Sequence, residues 1–496
     1  MKTILPALLV DGYKVGHVFQ YPADTEFVYS NLTPRKSRLG GEAGNGGVVF
    51  FGLQYFIQEY LVRQFSENFF ARPEAEVMAA YQRRIDHYLG PGAITYDHIR
   101  ALHRHGHLPL RIKALPEGSI VPHGVPMLTL HNTDPRFFWV TNMLETILSA
   151  VLWKACTSAT SAHRFRATFE KYSALTVSDA PNPFIDWQGH DFSFRGMSGL
   201  EDAALSGAAH LLSFTGTDTV PAIDFLETHY GADVTRELVG GSVSATEHSV
   251  MCMGLEDNEQ ETFRRLMEDV YPAGIVSIVS DTWDFWNVLT DILPALKDRV
   301  MARNGKLVIR PDSGDPVKII NGDPDAAPGT PAFKGAIRLL DETFGHTLTA
   351  KGYKLLDPHV GLIYGDSITA ERQDAILGGL MANGYASDNV VLGIGSYNYQ
   401  YVTRDTHGFA IKATFGTTRS RGDQAIYKDP KTDDGTKRSA LGLLRVDRVG
   451  GRLVLRDGVS RAEEAGGELV PVFEDGKLLH VETLAGIRAR LRKETT

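Results

Sequence analysis

Between residues 185 and 400 one arrangement recurs: a short apolar run, a polar or glycine-rich turn, then usually a helical pattern. Ile275-Val276-Ser277-Ile278-Val279-Ser280 ends at Asp281, and Trp283–Leu289 has helical spacing. Leu307-Val308-Ile309 runs into Arg310-Pro311-Asp312-Ser313-Gly314. Leu362-Ile363-Tyr364 runs into Gly365-Asp366, with a helix predicted from about Thr369, and Val390-Val391-Leu392 runs into Gly393-Ile394-Gly395-Ser396. Short apolar strands alternating with helices predict a parallel sheet covered by helices. A β/α barrel and a doubly wound open sheet share this local grammar, and both gather functional groups at strand ends. The barrel is the expectation.

The flanks read differently. In residues 1–150, Phe27–Tyr29 and Met127–Leu130 predict strands, while Leu53–Val62, Glu74–Tyr88 and Arg136–Trp153 carry helical periodicity. Thr157–Tyr172 predicts a further helix. Beyond residue 405 the chain turns β-rich and basic: Phe409–Phe415 alternates, and Leu453–Leu455 and Leu469–Phe473 predict short strands. The tail is expected to return to the N-terminal region. That gives a composite mixed α/β domain of 1–150 plus 405–496, and a barrel over 151–404.

Composition narrows the classes of function. A net charge of −9 speaks against non-specific nucleic-acid binding but leaves room for a locally basic site. Cys156 and Cys252 are too few for a disulfide framework in a chain of this length, which suits a reducing, cytoplasmic setting. The start, Met1 to Val10, lacks an A-x-A-like cleavage site and runs straight into Asp11-Gly12-Tyr13-Lys14. Phe137–Trp153 is apolar but interrupted by Asn142 and Glu145, so it predicts a buried helix and no membrane partner.

The strand ends carry Asp281, Asp312, Asp366 and a Gly-Ile-Gly-Ser turn. Such a rim suits a phosphorylated sugar with a divalent cation. Carboxylates hold ribose hydroxyls or Mg²⁺, and glycines let backbone N–H groups approach a phosphate. Asp at a strand end is also an ordinary helix cap. His248, within Ser244-Ala245-Thr246-Glu247-His248-Ser249, has the chemistry of a base or nucleophile. In an extended segment Glu247 would point away from it, so Asp281 is the better partner. In His190-Asp191-Phe192-Ser193-Phe194-Arg195-Gly196, Phe192 suits stacking on a flat heteroaromatic ring. At least one of Phe192 and Phe194 is expected in the core. Asp218 precedes an apparent helix and also reads as its N-cap. Basic clusters at Arg35, Lys36 and Arg38, and at Arg404, Lys412, Lys428, Lys437 and Arg438, suit a polyphosphate.

Taken together, eight segments resemble the nicotinamide phosphoribosyltransferases of the type II phosphoribosyltransferase family. They are Asp11-x-Tyr13-Lys14, His190-Asp191-Phe192, Gly216-Thr217-Asp218-Thr219, Glu247-His248-Ser249, Ser280-Asp281, Ile309 to Gly314, Gly365-Asp366 and Thr403-Arg404-Asp405. The resemblance runs in order from residue 11 to about 442. It implies an irregular α/β barrel with a second mixed α/β domain, in a homodimer whose active sites are shared between subunits. It implies nicotinamide, phosphoribosyl pyrophosphate and ATP as substrates, with Mg²⁺ held through substrate phosphates. His248 would be the residue phosphorylated by ATP, with Asp281 its partner. Phe192 and Tyr13 of the partner subunit would sandwich the pyridine ring. Asp218 would face the carboxamide, with Ser277 and Arg310 nearby, and Asp312 would hold the ribose hydroxyls. Arg195, Gly365, Asp366, Gly395 and Ser396 would line the 5′-phosphate pocket, and Arg35, Arg404, Lys412, Lys428 and Lys437 would contact polyphosphate.

The sequence departs from the family where Gly395-Ser396-Tyr397-Asn398 replaces a glycine run, at Ser367 where glycine is usual, and at Asn31-Leu32-Thr33-Pro34. The nearest rival, a nicotinate phosphoribosyltransferase, fits a carboxylate at 218 poorly, because Asp218 would repel nicotinate. An aldolase-type barrel would need a Schiff-base lysine or metal-ligating histidines at strand ends, and neither is evident. A non-catalytic signalling protein on the same fold would not need so many polar strand ends.

Overall fold

The apolar runs of the central region form a curled parallel sheet in the computed structural model, which describes residues 4–38, 46–428 and 439–495. The chain divides into two units, Met1–Thr160 with Leu226–Ala232 and Val402–Thr496, and Ser161–Phe225 with Asp233–Tyr401. The second unit holds strands β1 (Gly189–Asp191), β2 (Gly216–Thr217), β3 (Ser244–Ala245), β4 (Ala273–Val279), β5 (Asn304–Arg310), β6 (Val360–Tyr364) and β7 (Val390–Ile394). All neighbours pair parallel, in the order β2-β1-β7-β6-β5-β4-β3. One further parallel bridge, Gly216 to Gly241, links β2 to the segment that leads into β3. The order therefore returns on itself with no switch point, which separates this irregular barrel from a doubly wound sheet.

Strand alternation sorts side chains between two environments. On β4 and β5, Val276, Ile278, Leu307 and Ile309 are fully buried, in one core with Ile320, Leu340 and Ile376 from the covering helices. Lys306, Val308 and Arg310 alternate with them and line a cavity.

The first unit is built on a seven-stranded sheet in the order Gly422–Ala425, Phe409–Thr418, Thr25–Pro34, Leu128–Asn132, Leu110–Ala114, Val470–Glu474, Lys477–Leu478. Thr25–Pro34 lies between a strand from the C-terminal tail and one from the N-terminal segment, antiparallel to both. The expected helices Arg136–Trp153 and Thr157–Tyr172 are not separate: a single helix spans Glu145–Thr176. No glycine or proline interrupts that stretch. Among the described residues no helix is long and apolar enough to cross a membrane, and both cysteines are free thiols.

Candidate active site

Each of the three strand-end carboxylates is followed three positions later by a residue that caps the next helix. Asp284 accepts from the backbone N–H of Trp286 and Asn287, Asp315 from those of Val317 and Lys318, and Thr369 from that of Arg372. These side chains satisfy the helix N-termini. Asp281, Asp312 and Asp366 are thereby released from the capping role and left at the rim of the barrel.

Asp281 links two of the candidate groups. Its Oδ1 lies 3.2 Å from His248 Nε2, and its Oδ2 accepts from the backbone N–H of Asp312 at 2.9 Å. The Asp281 side chain is 5% exposed and that of His248 48%. Glu247 instead accepts from the Ser249 hydroxyl. Burial, together with the neighbouring Asp281 and Asp366 charges, raises the Asp312 carboxyl above the usual Asp value, against the opposing pull of Arg310 and His248. Arg310 Nη2 is 3.9 Å from Asp312 Oδ2.

A cavity of about 580 Å³ opens inside the barrel beside these groups, lined by Phe192, Asp218, Ser277 and Arg310 among others. Its size falls in the range of roughly 300–1,000 Å³ common for small-molecule sites. Phe192 is half-buried and Phe194 exposed, so neither is a core residue. The reason lies in β1, which ends at Asp191 and hands both rings to a loop. Phe192 is wedged: the His190 ring centroid lies 4.6 Å away, and a methyl on Gly393 would sit 2.6 Å from the Phe192 ring. Asp218 is not a helix cap in this arrangement. Its Oδ1 receives His190 Nε2 at 2.8 Å and the Ser242 hydroxyl at 2.8 Å. Burial pushes its carboxyl up, but the His190 and Ser242 hydrogen bonds and the Arg310 charge outweigh that, and it lies below the usual Asp value. Buried Ser277 Oγ and Arg310 Nε have no hydrogen-bond partner among the described residues. Both residues line the cavity, so polar groups of its wall are left without a protein partner.

At the same rim, Gly365-Asp366 follows β6 and Gly395-Ser396 follows β7. Ser367 adopts φ +56°, the left-handed conformation that favours glycine, at a cost of about 1–3 kcal/mol. Its hydroxyl donates to Asp366 Oδ2 at 2.7 Å, and Arg372 Nη1 donates to its carbonyl at 2.6 Å. These two hydrogen bonds hold Ser367 in its left-handed conformation. Arg195 lies in the loop after β1, which meets the Ser396–Tyr399 helix through a Gln400 Nε2 to Ser198 Oγ hydrogen bond of 2.5 Å.

In the first unit, Arg35 Nε donates to the Gly408 carbonyl at 3.0 Å. The half-buried Lys412 ammonium is held below its ordinary value, first by burial and then by Arg35, Lys428 and Arg404, with Glu145 opposing. Four of the proposed polyphosphate contacts therefore share one electrostatic neighbourhood. Lys437 lies outside the described residues. Tyr13 is 65% exposed. Among the described residues no three His, Cys, Asp or Glu side chains converge to hold a metal ion.

His190 and Ser242 are the site residues that sequence reasoning did not assign. His190 stands in the His190-Asp191-Phe192 segment without an assigned role and no local pattern marks Ser242; only barrel closure brings 190, 218 and 242 together.

The profile of the nicotinate phosphoribosyltransferase (NAPRTase) family matches residues 187–457, and that of the nicotinamide phosphoribosyltransferase N-terminal domain matches residues 6–112. The nicotinamide phosphoribosyltransferase of Acinetobacter baylyi is 54% identical over 99% of this chain and 98% of its own length. That of Xanthomonas campestris pv. campestris is 36% identical over 97% of each. Among solved structures, a nicotinate-nucleotide pyrophosphorylase from Pyrococcus furiosus superposes with TM-score 0.60 at 14% identity, over 99% of this chain and 95% of that one. Human nicotinic acid phosphoribosyltransferase superposes with TM-score 0.52 at 16% identity, over 98% and 93%.

Proposed function

We infer that this chain, which belongs to the NAPRTase family, is a pentosyltransferase of NAD salvage that joins nicotinamide to phosphoribosyl pyrophosphate and releases pyrophosphate. The observation that carries the choice of nicotinamide is Asp218. Two donors occupy its Oδ1, and its carboxyl lies below the usual Asp value, so at neutral pH it is an anion on the cavity wall. An anion accepts a hydrogen bond from a carboxamide and repels a carboxylate. Pyrophosphate release measured with nicotinamide and with nicotinate tests this reading; equal turnover of the two would overturn it.

The ring nitrogen of nicotinamide attacks the anomeric carbon as pyrophosphate leaves. It carries no proton, so no general base is needed. Phe192 orients the ring. Asp312 holds the ribose hydroxyls while positive charge develops on the sugar, and Arg195 with the Gly365-Asp366 and Gly395-Ser396 turns receives the 5′-phosphate. The cluster of Arg35, Arg404, Lys412 and Lys428 holds polyphosphate, with Lys437 assigned to the same role by resemblance. Mg²⁺, when bound, would supply charge neutralisation on the leaving pyrophosphate. With no three-ligand protein cage among the described residues, it would be held by substrate phosphates and one or two of the rim carboxylates Asp281, Asp312 and Asp366, the usual arrangement for this ion. ATP is a co-substrate, coupled through phosphorylation of His248. The cysteine usage suits a cytoplasmic setting.

Asp218→Ser removes the acceptor and the repelling charge together. The ratio of kcat/KM for nicotinamide to that for nicotinate should fall. A hydrogen bond to a charged acceptor is worth about 1.5–3 kcal/mol, or roughly ten- to hundredfold. An unchanged ratio would rule out the assignment.

The active site is also proposed to be shared within a homodimer, with the exposed Tyr13 stacking on the ring bound by the other subunit. Tyr13→Ala and His248→Ala homodimers should each be impaired at both sites. In a mixed dimer both lesions fall in one site and the other is intact. Random co-refolding makes about half the dimers mixed, so about a quarter of sites should recover. No recovery in verified mixed dimers would place Tyr13 within its own chain's site.

A further inference from the structure

We infer that His190 is the positioning residue that fixes the Asp218 carboxylate for amide recognition, and so sets the preference for amide over acid. The inference rests on the cavity being the nicotinamide site. A carboxylate oxygen has only lone pairs to offer, so at 2.8 Å His190 Nε2 must be the donor. The ring cannot readily turn away from that task. It is 7% exposed, packs on Phe192, and presents Nδ1 to Gly216, where a methyl would lie 2.7 Å from that nitrogen. Glycine at 216 is what allows the imidazole this position.

The consequence concerns the other carboxylate oxygen. The Asp218 side chain is 45% exposed and, left alone, would rotate among solvent-facing positions. Donors from two elements, His190 on β1 and Ser242 before β3, meet on Oδ1. Convergence on one oxygen fixes the carboxylate plane and leaves Oδ2 for the ligand's N–H. Amide recognition is then made by a preset acceptor, which costs less ordering on binding than a mobile one. His190 does not touch the reacting atoms in this scheme. It acts through Asp218.

The test compares three variants with wild type. His190→Phe keeps a ring of similar shape against Phe192 and removes the donor. His190→Gln keeps a donor near the Nε2 position. His190→Ala is a second donor-less variant that does not depend on the ring fitting, and thermal melting checks the folding of each. In His190→Phe and His190→Ala, KM for nicotinamide should rise at least about tenfold. The kcat at saturating nicotinamide and KM for phosphoribosyl pyrophosphate should stay within about threefold of wild type. His190→Gln should restore KM to within about threefold. In an Asp218→Ser background, His190→Phe should have little further effect, because the two residues act as one unit. The inference is overturned if the donor-less variants keep wild-type KM, if His190→Gln is as impaired as His190→Phe, or if the effect persists undiminished without Asp218. A wild-type enzyme that uses nicotinate as well as nicotinamide would overturn the reading of the cavity itself. A nicotinamide-selective wild type with indifferent His190 variants would overturn the inference alone.

Discussion

The His248→Ala enzyme is expected to take up no acid-labile phosphate from labelled ATP, and its turnover to lose all ATP stimulation while a slow, ATP-independent transfer persists. The geometry supplies the reasons. Asp281 engages Nε2, which favours the tautomer with the proton there and leaves the Nδ1 lone pair as the nucleophile. In the proposed step Nδ1 would attack the terminal phosphorus of ATP, the bond to the bridging oxygen would break, and ADP would depart. No proton has to leave first. The resulting phosphoimidazole would carry positive charge at its Nε2–H side, where the buried Asp281 carboxylate is placed to stabilise it. Asp281→Ala should therefore slow labelling severely, and adding it to His248→Ala should cost little more. Undiminished labelling of the His248→Ala protein would show that another residue accepts the phosphoryl group. Additive losses would separate Asp281 from it.

The second large effect is expected at Asp312. Asp312→Asn should lower kcat by about a hundred- to thousandfold, the range seen when a group facing developing charge is removed, with KM for nicotinamide changed far less. Asp312 is the rim carboxylate that pairs with Arg310, which itself lines the cavity, so in the proposed reaction it would face the sugar beside the ring. Its titration adds a second signature. The folded carboxyl is raised above the ordinary value, so as pH falls it becomes protonated, and loses its charge, earlier than an exposed Asp would. The acid limb of kcat/KM, which reports the free enzyme, should lie above the usual Asp range. Asp281→Ala removes one of the repelling charges and should shift that limb to lower pH. A pure KM effect in Asp312→Asn, or an acid limb unmoved by Asp281→Ala, would contradict these assignments.

The long strands of the barrel were legible from sequence and the short ones were not. β4 to β7 have five to seven residues each, enough for an apolar run to stand out. β2 and β3 have two residues each, and β1 has three, too few to show any period. They are strands because ring closure places their backbones beside a neighbour. The pairing of His248 with Asp281 was readable, since an extended segment turns Glu247 away and strand order puts Asp281 next. The triad of His190, Asp218 and Ser242 was not, because it depends on β1, β2 and the lead into β3 lying side by side. The Asp residues at strand ends were ambiguous between site and cap. The structure separates the roles by assigning the caps to Asp284, Asp315 and Thr369. The break expected between the helices before and after residue 155 is missing, because nothing in that stretch disfavours continuing one helix.

The wedging of Phe192 has a consequence for how the enzyme can be modified. Most aromatic platforms can swing to admit a thicker or displaced ring, and this adaptability lets small substitutions retune a pocket. Here one face of the platform meets an imidazole, and at Gly393 not even a methyl fits between the ring and the Gly365 backbone, 2.7 Å from where it would sit. The plane of the Phe192 ring is therefore held by main chain at Gly393 and Gly365 and by the His190 imidazole, which leaves little room to tune it through other neighbouring side chains. Variation in ring specificity is left to the far wall of the cavity and to whatever residue closes over the bound ring, and laboratory evolution toward other heterocycles should collect its changes there, with positions 365 and 393 unchanged.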